Sequence, residues 1–180
     1  MMASNRLGVG VLGAHAWANK AHLPGFRACE RMDLVAVCDV LKDRAEATAQ
    51  KFGIRKVYTD PMQLIADPEV QMVDVCTPTD THLELSLAVI AAGKHVLCEK
   101  PIARSAADAY RLHEATQAKG LRSKTGFTFR YSPALRQIRA WIEDGTIGEI
   151  FHIHGLEQNS QFLDPNFPLR QCRPVPTSPR

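Results

Sequence analysis

An α/β fold built on a parallel sheet is predicted by three observations on this 180-residue sequence. Short apolar or β-branched runs alternate with helical patterns from residue 6 onward, the sequence form of repeated βαβ units. Helix start and stop signals fall consistently between those runs. A composition of 45% hydrophobic and 23% charged residues is that of a water-soluble globular chain with enough apolar material for one good core.

The strands read in order as "LGVGVL" (7–12), "DLVAVCD" (33–39), "KVY" (56–58), "MVDVCT" (72–77) and "KHVLCE" (94–99). Between them, Asp60 ahead of Pro61 reads as an N-cap and first helical residue, and Thr81 to Glu84 and Ser105 to Asp108 have capping-box spacing. Gly53, Gly93 and Gly120 stand where helices stop. After Gly120 the rhythm changes: "LRSKTGFTF" (121–129) reads as a sixth strand, "SPALRQIRAWIEDG" (132–145) as a helix and "EIFHIHG" (149–155) as a further strand. The sequence therefore divides into a first domain over 1–124, the start of a second over 125–160, and a tail over 161–180. That tail holds five of the 11 prolines and shows no apolar period, so it is expected to be disordered.

Several function classes are excluded by composition. No apolar run approaches the ~18 residues that span a bilayer, so no membrane span is expected. Much of the formal charge of +3 sits in the tail, where Arg170, Arg173 and Arg180 face only Asp164, so the body carries no electrostatic footprint for nucleic acid. The five cysteines are odd in number and form no C-x-x-C pair, which argues against zinc or a disulfide framework and for reduced thiols in a cytoplasmic protein. "RLGVGVLGAHAWA" has the outline of an export signal, but its apolar core is short and rich in glycine, and the strand reading explains it better.

Gly8, Gly10 and Gly13 spell a literal G-x-G-x-x-G. Gly8 and Gly10 fall inside the first strand, however, and would point to one sheet face instead of into a turn. The turn that could cradle a dinucleotide is "GAHAWA" (13–18): Gly13 makes the tight bend, Ala18 takes the place of the third glycine, and His15 occupies that of the second. The His15 side chain must then swing aside or touch the phosphate itself. Asp39 stands at the end of the second strand, where a carboxylate accepts hydrogen bonds from a ribose 2′-hydroxyl and repels a 2′-phosphate. Its spacing from Gly13 is somewhat longer than the usual ~20 residues.

The stretch "CTPTDTHLELSLAVIAAGKHVLCEKP" (76–101) resembles the Gfo/Idh/MocA family of nicotinamide-dependent sugar and polyol oxidoreductases. Thr77-Pro78, His82 and the run from Ala92 to Pro101 match its pattern, and the likeness runs from about residue 6 to about 157. It implies a Rossmann-type parallel sheet with the incomplete start of a second α/β domain. It also implies NAD as cofactor, with NADP less favoured, and a sugar or polyol as small-molecule substrate. Carried over on the matching positions, Gly13, His15, Ala16 and Trp17 would flank the pyrophosphate and Asp39 would hold the adenosine ribose. Thr77, Pro78 and His82 would line the cofactor, Glu99 would sit near the nicotinamide ribose, and Arg130 would border the same cleft. Lys100 would be the catalytic residue facing nicotinamide and substrate, and a lysine at a strand end ahead of a proline is also aimed where open α/β sheets bind ligands.

In the family the second domain continues as a large, mostly antiparallel sheet carrying an aspartate and a histidine that orient substrate, and nothing after Glu157 matches it. The sequence therefore reads as a C-terminally truncated member, and a non-catalytic dinucleotide-binding fragment stands as the alternative to a dehydrogenase. Its strands at 122–129 and 149–155 are expected to favour self-association. His152 and His154 share one face of the last strand, but no carboxylate or cysteine at ligand spacing accompanies them, so no metal site is expected. Trp141, at helical spacing from Ile138 and Ile142, is expected in the core.

Overall fold

The computed structural model describes residues 6–157. Six strands form one sheet in the order β3-β2-β1-β4-β5-β6: β1 (Leu7–Leu12), β2 (Met32–Cys38), β3 (Lys56–Tyr58), β4 (Met72–Val75), β5 (His95–Cys98) and β6 (Ser123–Thr125). Every pairing is parallel. The helices that connect them are α1 (Leu23–Ala28), α2 (Lys42–Phe52), α3 (Pro61–Ala66), α4 (His82–Ala91) and α5 (Ala106–Ala118). The order reverses between β1 and β4, the switch point at which open α/β sheets leave a crevice.

Central parallel strands are covered on both faces and therefore run apolar without alternation. One core gathers Leu12, Leu64, Val73, Val75, Ile90 and Leu112; the other gathers Val9, Val11, Leu23, Phe26, Val37 and Ile54. Gly8 and Gly10 belong to the packing of β1: a Cβ at Gly8 would lie 2.0 Å from the Glu69 carbonyl oxygen, and one at Gly10 would lie 2.7 Å from Leu64 Cδ2. The two glycines let α3 and the segment after it lie directly on the strand.

Local signals act as the sequence predicts at two helix starts. Asp60 accepts from the Met62 N–H, and Ser105 Oγ from the Asp108 N–H 3.1 Å away. The box expected at Thr81 does not form. A 3₁₀ turn (Thr79–Thr81) runs into α4, and the Thr81 hydroxyl bonds back to the Pro78 carbonyl and to Thr77 Oγ1. This is the local competition that short hydroxyl side chains offer to capping.

Further expectations differ. Only Ser123–Thr125 of the 121–129 run pairs with β5; Gly126 makes a last ladder-like bond to the Cys98 carbonyl, and a 3₁₀ turn follows at Thr128–Tyr131. Because that segment stays on the sheet, one compact unit ends at Ser132 and another begins at Pro133. Within the second unit, α6 (Pro133–Glu143) forms, but residues 149–155 adopt no strand. A strand needs a neighbour for its N–H and C=O groups, and among the described residues nothing pairs with this stretch. Trp141 is 43% exposed, not buried, since α6 meets no other helix or strand of its own unit among the described residues. The tail expected at 161–180 lies outside the described residues.

Substituting Gly8→Ala should destabilise the fold by about 1–3 kcal/mol, because a backbone carbonyl cannot be displaced as a flexible side chain can. Urea unfolding checks this, and an unchanged midpoint would show that the close approach is dispensable.

Candidate functional site

The turn after β1 sits at the switch point and is held from both sides. Gly13 has φ +94°, a conformation costly for other residues, and a Cβ there would lie 2.3 Å from the Cys76 carbonyl oxygen at the end of β4. The Gly13 N–H donates to the Cys38 carbonyl at 2.8 Å, and the Ala14 N–H to Asp39 Oδ2 at 2.9 Å. The His15 ring folds back across the strand ends, its Nε2–H donating to the Cys76 carbonyl at 2.6 Å. Of the two alternatives open to His15 the side chain takes the first, and its Nδ1 accepts the Trp17 N–H at 3.4 Å. Ala16 and Trp17 are exposed at the entry to the next helix, whose opening N–H groups have no acceptor one turn back.

Asp39 is only 6% exposed, and its carboxylate organises the second strand end. Besides Ala14, it accepts from the Leu41 N–H at 2.9 Å and pairs with Arg44 Nη1 at 3.3 Å. Arg44 was not singled out from the sequence. It lies in the first turn of α2, five residues past Asp39, which is the signal that could have found it.

On the other side of the switch point, Thr77 is half-buried and Pro78 exposed. His82 is buried, 1% exposed, and bridges the Thr77 carbonyl (2.9 Å) and the Pro101 carbonyl (2.7 Å). It thus ties two crevice loops together instead of lining the crevice itself. Lys100 is exposed, with its N–H donating to Glu99 Oε2 at 3.0 Å. Glu99 is 7% exposed, and its Oε1 accepts from Trp17 Nε1 at 3.1 Å and His22 Nε2 at 3.0 Å.

His22 closes a π-turn, Ala18–His22, and its Nδ1 lies 2.9 Å from Asp74 Oδ2, a fully buried carboxylate. Burial alone would disfavour the charged ring, but the bonds to Asp74 and Cys76 outweigh it and push His22 from 6.5 up to about 11. Burial drives the Asp74 carboxyl upward, and His22 opposes that. Neither His22 nor Asp74 stood out in the sequence, where each looks like an ordinary helix or strand residue.

Arg130 is not brought beside Lys100 by any contact. It lines a hollow of about 230 Å³ with Ser123, Lys124, Thr125 and Phe127 along β6. A hollow of about 310 Å³ opens at the opposite, amino-terminal ends of the strands, against Gly8, Asp33, Arg55 and Glu69. Gly8 thus lies at the wrong end of the sheet to share a ligand with the Gly13 turn. No cluster of three metal-ligating side chains occurs among the described residues, and no described helix is long and apolar enough to cross a membrane.

A glycine turn at the switch point, opening a helix and fixed by a carboxylate from the next strand, defines a dinucleotide-binding α/β domain. The model of the Gfo/Idh/MocA oxidoreductase family, NAD-binding Rossmann fold, matches residues 7–127, and the chain belongs to that family. It is similar to levoglucosan dehydrogenase of Pseudarthrobacter phenanthrenivorans, with 30% identity covering 91% of this chain and 44% of that protein. It is also similar to myo-inositol 2-dehydrogenase of Thermotoga maritima, with 37% identity covering 78% of this chain and 42% of the relative. Among solved structures, KijD10, a 3-ketoreductase from Actinomadura kijaniata in complex with NADP, aligns with TM-score 0.74 and 33% identity over 81% of this chain and 46% of that one. GenD2 from gentamicin A biosynthesis, in complex with NAD, aligns with TM-score 0.74 and 34% identity over 79% and 40%. The chain spans about half the length of the curated relatives it matches.

A group whose pKa is raised on folding stabilises the fold fully below its unfolded value and loses that contribution as pH climbs to the folded value. The stability gap between the wild type and His22→Gln should therefore be widest at pH 6.5 and below and narrow steadily toward pH 11. Denaturant unfolding of both proteins across that range tests it, and a gap that widens with pH would contradict the charged pairing.

Proposed function

We propose that this chain is the cofactor-binding part of an NAD-dependent dehydrogenase acting on a hydroxyl-bearing carbon of a sugar or polyol. The observation that carries the reading is the Gly13 turn at the switch point, with Asp39 on one side of it and Lys100 at the β5 end on the other. The residues fit the cofactor: the turn, bent at Gly13 where a Cβ would clash, leads into exposed Ala16 and Trp17 at a helix start, and Asp39 offers an anchored carboxylate at the β2 end. When bound, NAD supplies the hydride acceptor.

Each side chain then has a defined task. Gly13, His15, Ala16 and Trp17 form the pyrophosphate turn, with the His15 ring folded back onto the Cys76 carbonyl. Asp39 accepts from the adenosine ribose hydroxyls. Thr77 and Pro78 border the nicotinamide half, with His82 holding their loop to Pro101 from below. Glu99 fixes the Lys100 backbone, and the Lys100 side chain would take the hydroxyl proton of the substrate as a neutral amine in the oxidative direction, or as the ammonium polarise and protonate the carbonyl oxygen in the reverse direction. Arg130 borders the substrate side. The buried free thiols Cys38, Cys76 and Cys98 fit a reducing, cytoplasmic setting.

A second reading is a dinucleotide-binding module without turnover, which the Gly13 turn and the Asp39 carboxylate support by themselves. Assay of the chain against a panel of polyols and sugars beside calorimetric NAD titration separates the two. Turnover that Lys100→Ala lowers sharply with little change in NAD affinity supports the dehydrogenase; NAD binding without turnover supports the module; absence of NAD binding overturns both.

Asp39 also sets the expected cofactor choice. NAD should bind more tightly than NADP by about tenfold, ~1.4 kcal/mol. Asp39→Ala should narrow or invert that preference, because it removes the repelling carboxylate and frees Arg44 for a 2′-phosphate. Equal affinities in the wild type, from parallel titrations, would contradict the assignment.

A further inference from the structure

Hydrogen bonds in a π-turn run between residues five apart, and here the Leu23 N–H donates to the Ala18 carbonyl. Trp17 and His22 are also five apart, and both reach one atom, Glu99 Oε1, at 3.1 and 3.0 Å. On a regular α-helix such residues would diverge by about 140°. The wide turn is what brings indole and imidazole onto the same oxygen.

From Glu99 the bonds continue in both directions. The far edge of the His22 ring meets Asp74 Oδ2 on β4 at 2.9 Å, and Glu99 Oε2 accepts the Lys100 N–H at 3.0 Å. The remaining oxygen of Asp74, Oδ1, has no partner among the described residues, so His22 is the countercharge that this buried carboxylate has there. Gly126 closes the space around Glu99, since a Cβ there would lie 2.6 Å from Oε1. A neutral imidazole donates from one nitrogen only. Two carboxylates on its two nitrogens are both satisfied when both carry protons, and the bridge is then an imidazolium.

We propose that His22 is a positioning residue of the crevice: as an imidazolium between Asp74 and Glu99 it fixes the Glu99 carboxylate, and through the Lys100 N–H it fixes the strand end that presents Lys100. The proposal rests on the reading of the crevice as an NAD-dependent site. The groups that face the ring are Asp74 from β4, Cys76 just past its end, Glu99 just past β5, and the Phe26 ring from α1. An ion pair that only stabilised the fold would change melting temperature and leave the Lys100 amide where it is.

The test uses the full 180-residue chain with isotope-labelled backbone and histidine rings. His22 should show both ring nitrogens protonated at neutral and mildly alkaline pH, and conversion to a single tautomer near 6.5 overturns the proposal. His22→Leu should shift the Lys100 amide resonance, leave that of Val57 in β3 in place, and weaken NAD binding by about tenfold in calorimetry. His22→Gln, which keeps an N–H donor, should recover part of both effects. If His22→Leu does not fold, Trp17→Phe removes one donor to Glu99 Oε1 without orphaning a buried charge and should give a smaller shift of the same amide. An unmoved Lys100 amide in a folded His22 variant overturns the proposal. Failure of the wild type to bind NAD would instead overturn the cofactor reading, and the ring and amide measurements would still decide the role of His22.

Discussion

The close approach of the Gly13 turn to the Cys76 carbonyl is the constraint from which the crevice follows. Strands β1 and β4 are neighbours in the sheet, yet their chains leave it in different directions, and the gap between those exits is where a ligand enters. With no Cβ at position 13 the turn can fold flat against the end of β4. The Ala14–Asp39 bond then secures it from the β2 side, and the His15–Cys76 bond from the β4 side. Three strand ends become one rigid rim, and the helix that follows starts at a fixed place.

Charge in this rim lies on both sides of the turn. On the β2 side, the Asp39 carboxylate is held by two backbone N–H groups and Arg44. Beneath the opposite rim, the one imidazole of His22 lies between the two carboxylates of Asp74 and Glu99. Buried ion pairs of this sort add little net stability relative to apolar packing, but removing one partner is severe because the other charge is left in the interior. Their value here is geometric: each pins a strand end from which a crevice side chain projects.

Much of this was legible in the sequence because it depends on local chemistry. The strand patterns located β1 to β5, and the placing of Gly8 and Gly10 inside a strand separated them correctly from the Gly13 turn. Asp60 and Ser105 cap as their spacing implies. What could not be read depends on partners distant in sequence. His22 meets Asp74 and Glu99 across separations of 52 and 77 residues, with no periodic pattern to announce it. Residues 149–155 carry strand propensity, but pairing makes a strand, and Trp141 has core spacing, but only a covering element makes a core. Thr77 and Glu99 looked like the last strand residues; they end outside the ladder because crevice loops begin there.

The central claim is that the dinucleotide meets the protein across the carboxyl ends of β1, β2 and β4, over the turn at Gly13. An amide NMR titration of the chain with NAD tests it most directly. The largest shifts are expected at Ala14, His15, Ala16 and Trp17, with a second set at Asp39 and Thr77. Shifts concentrated instead at Gly8, Glu69 and Gln71, at the amino-terminal ends of the same strands, would contradict the account.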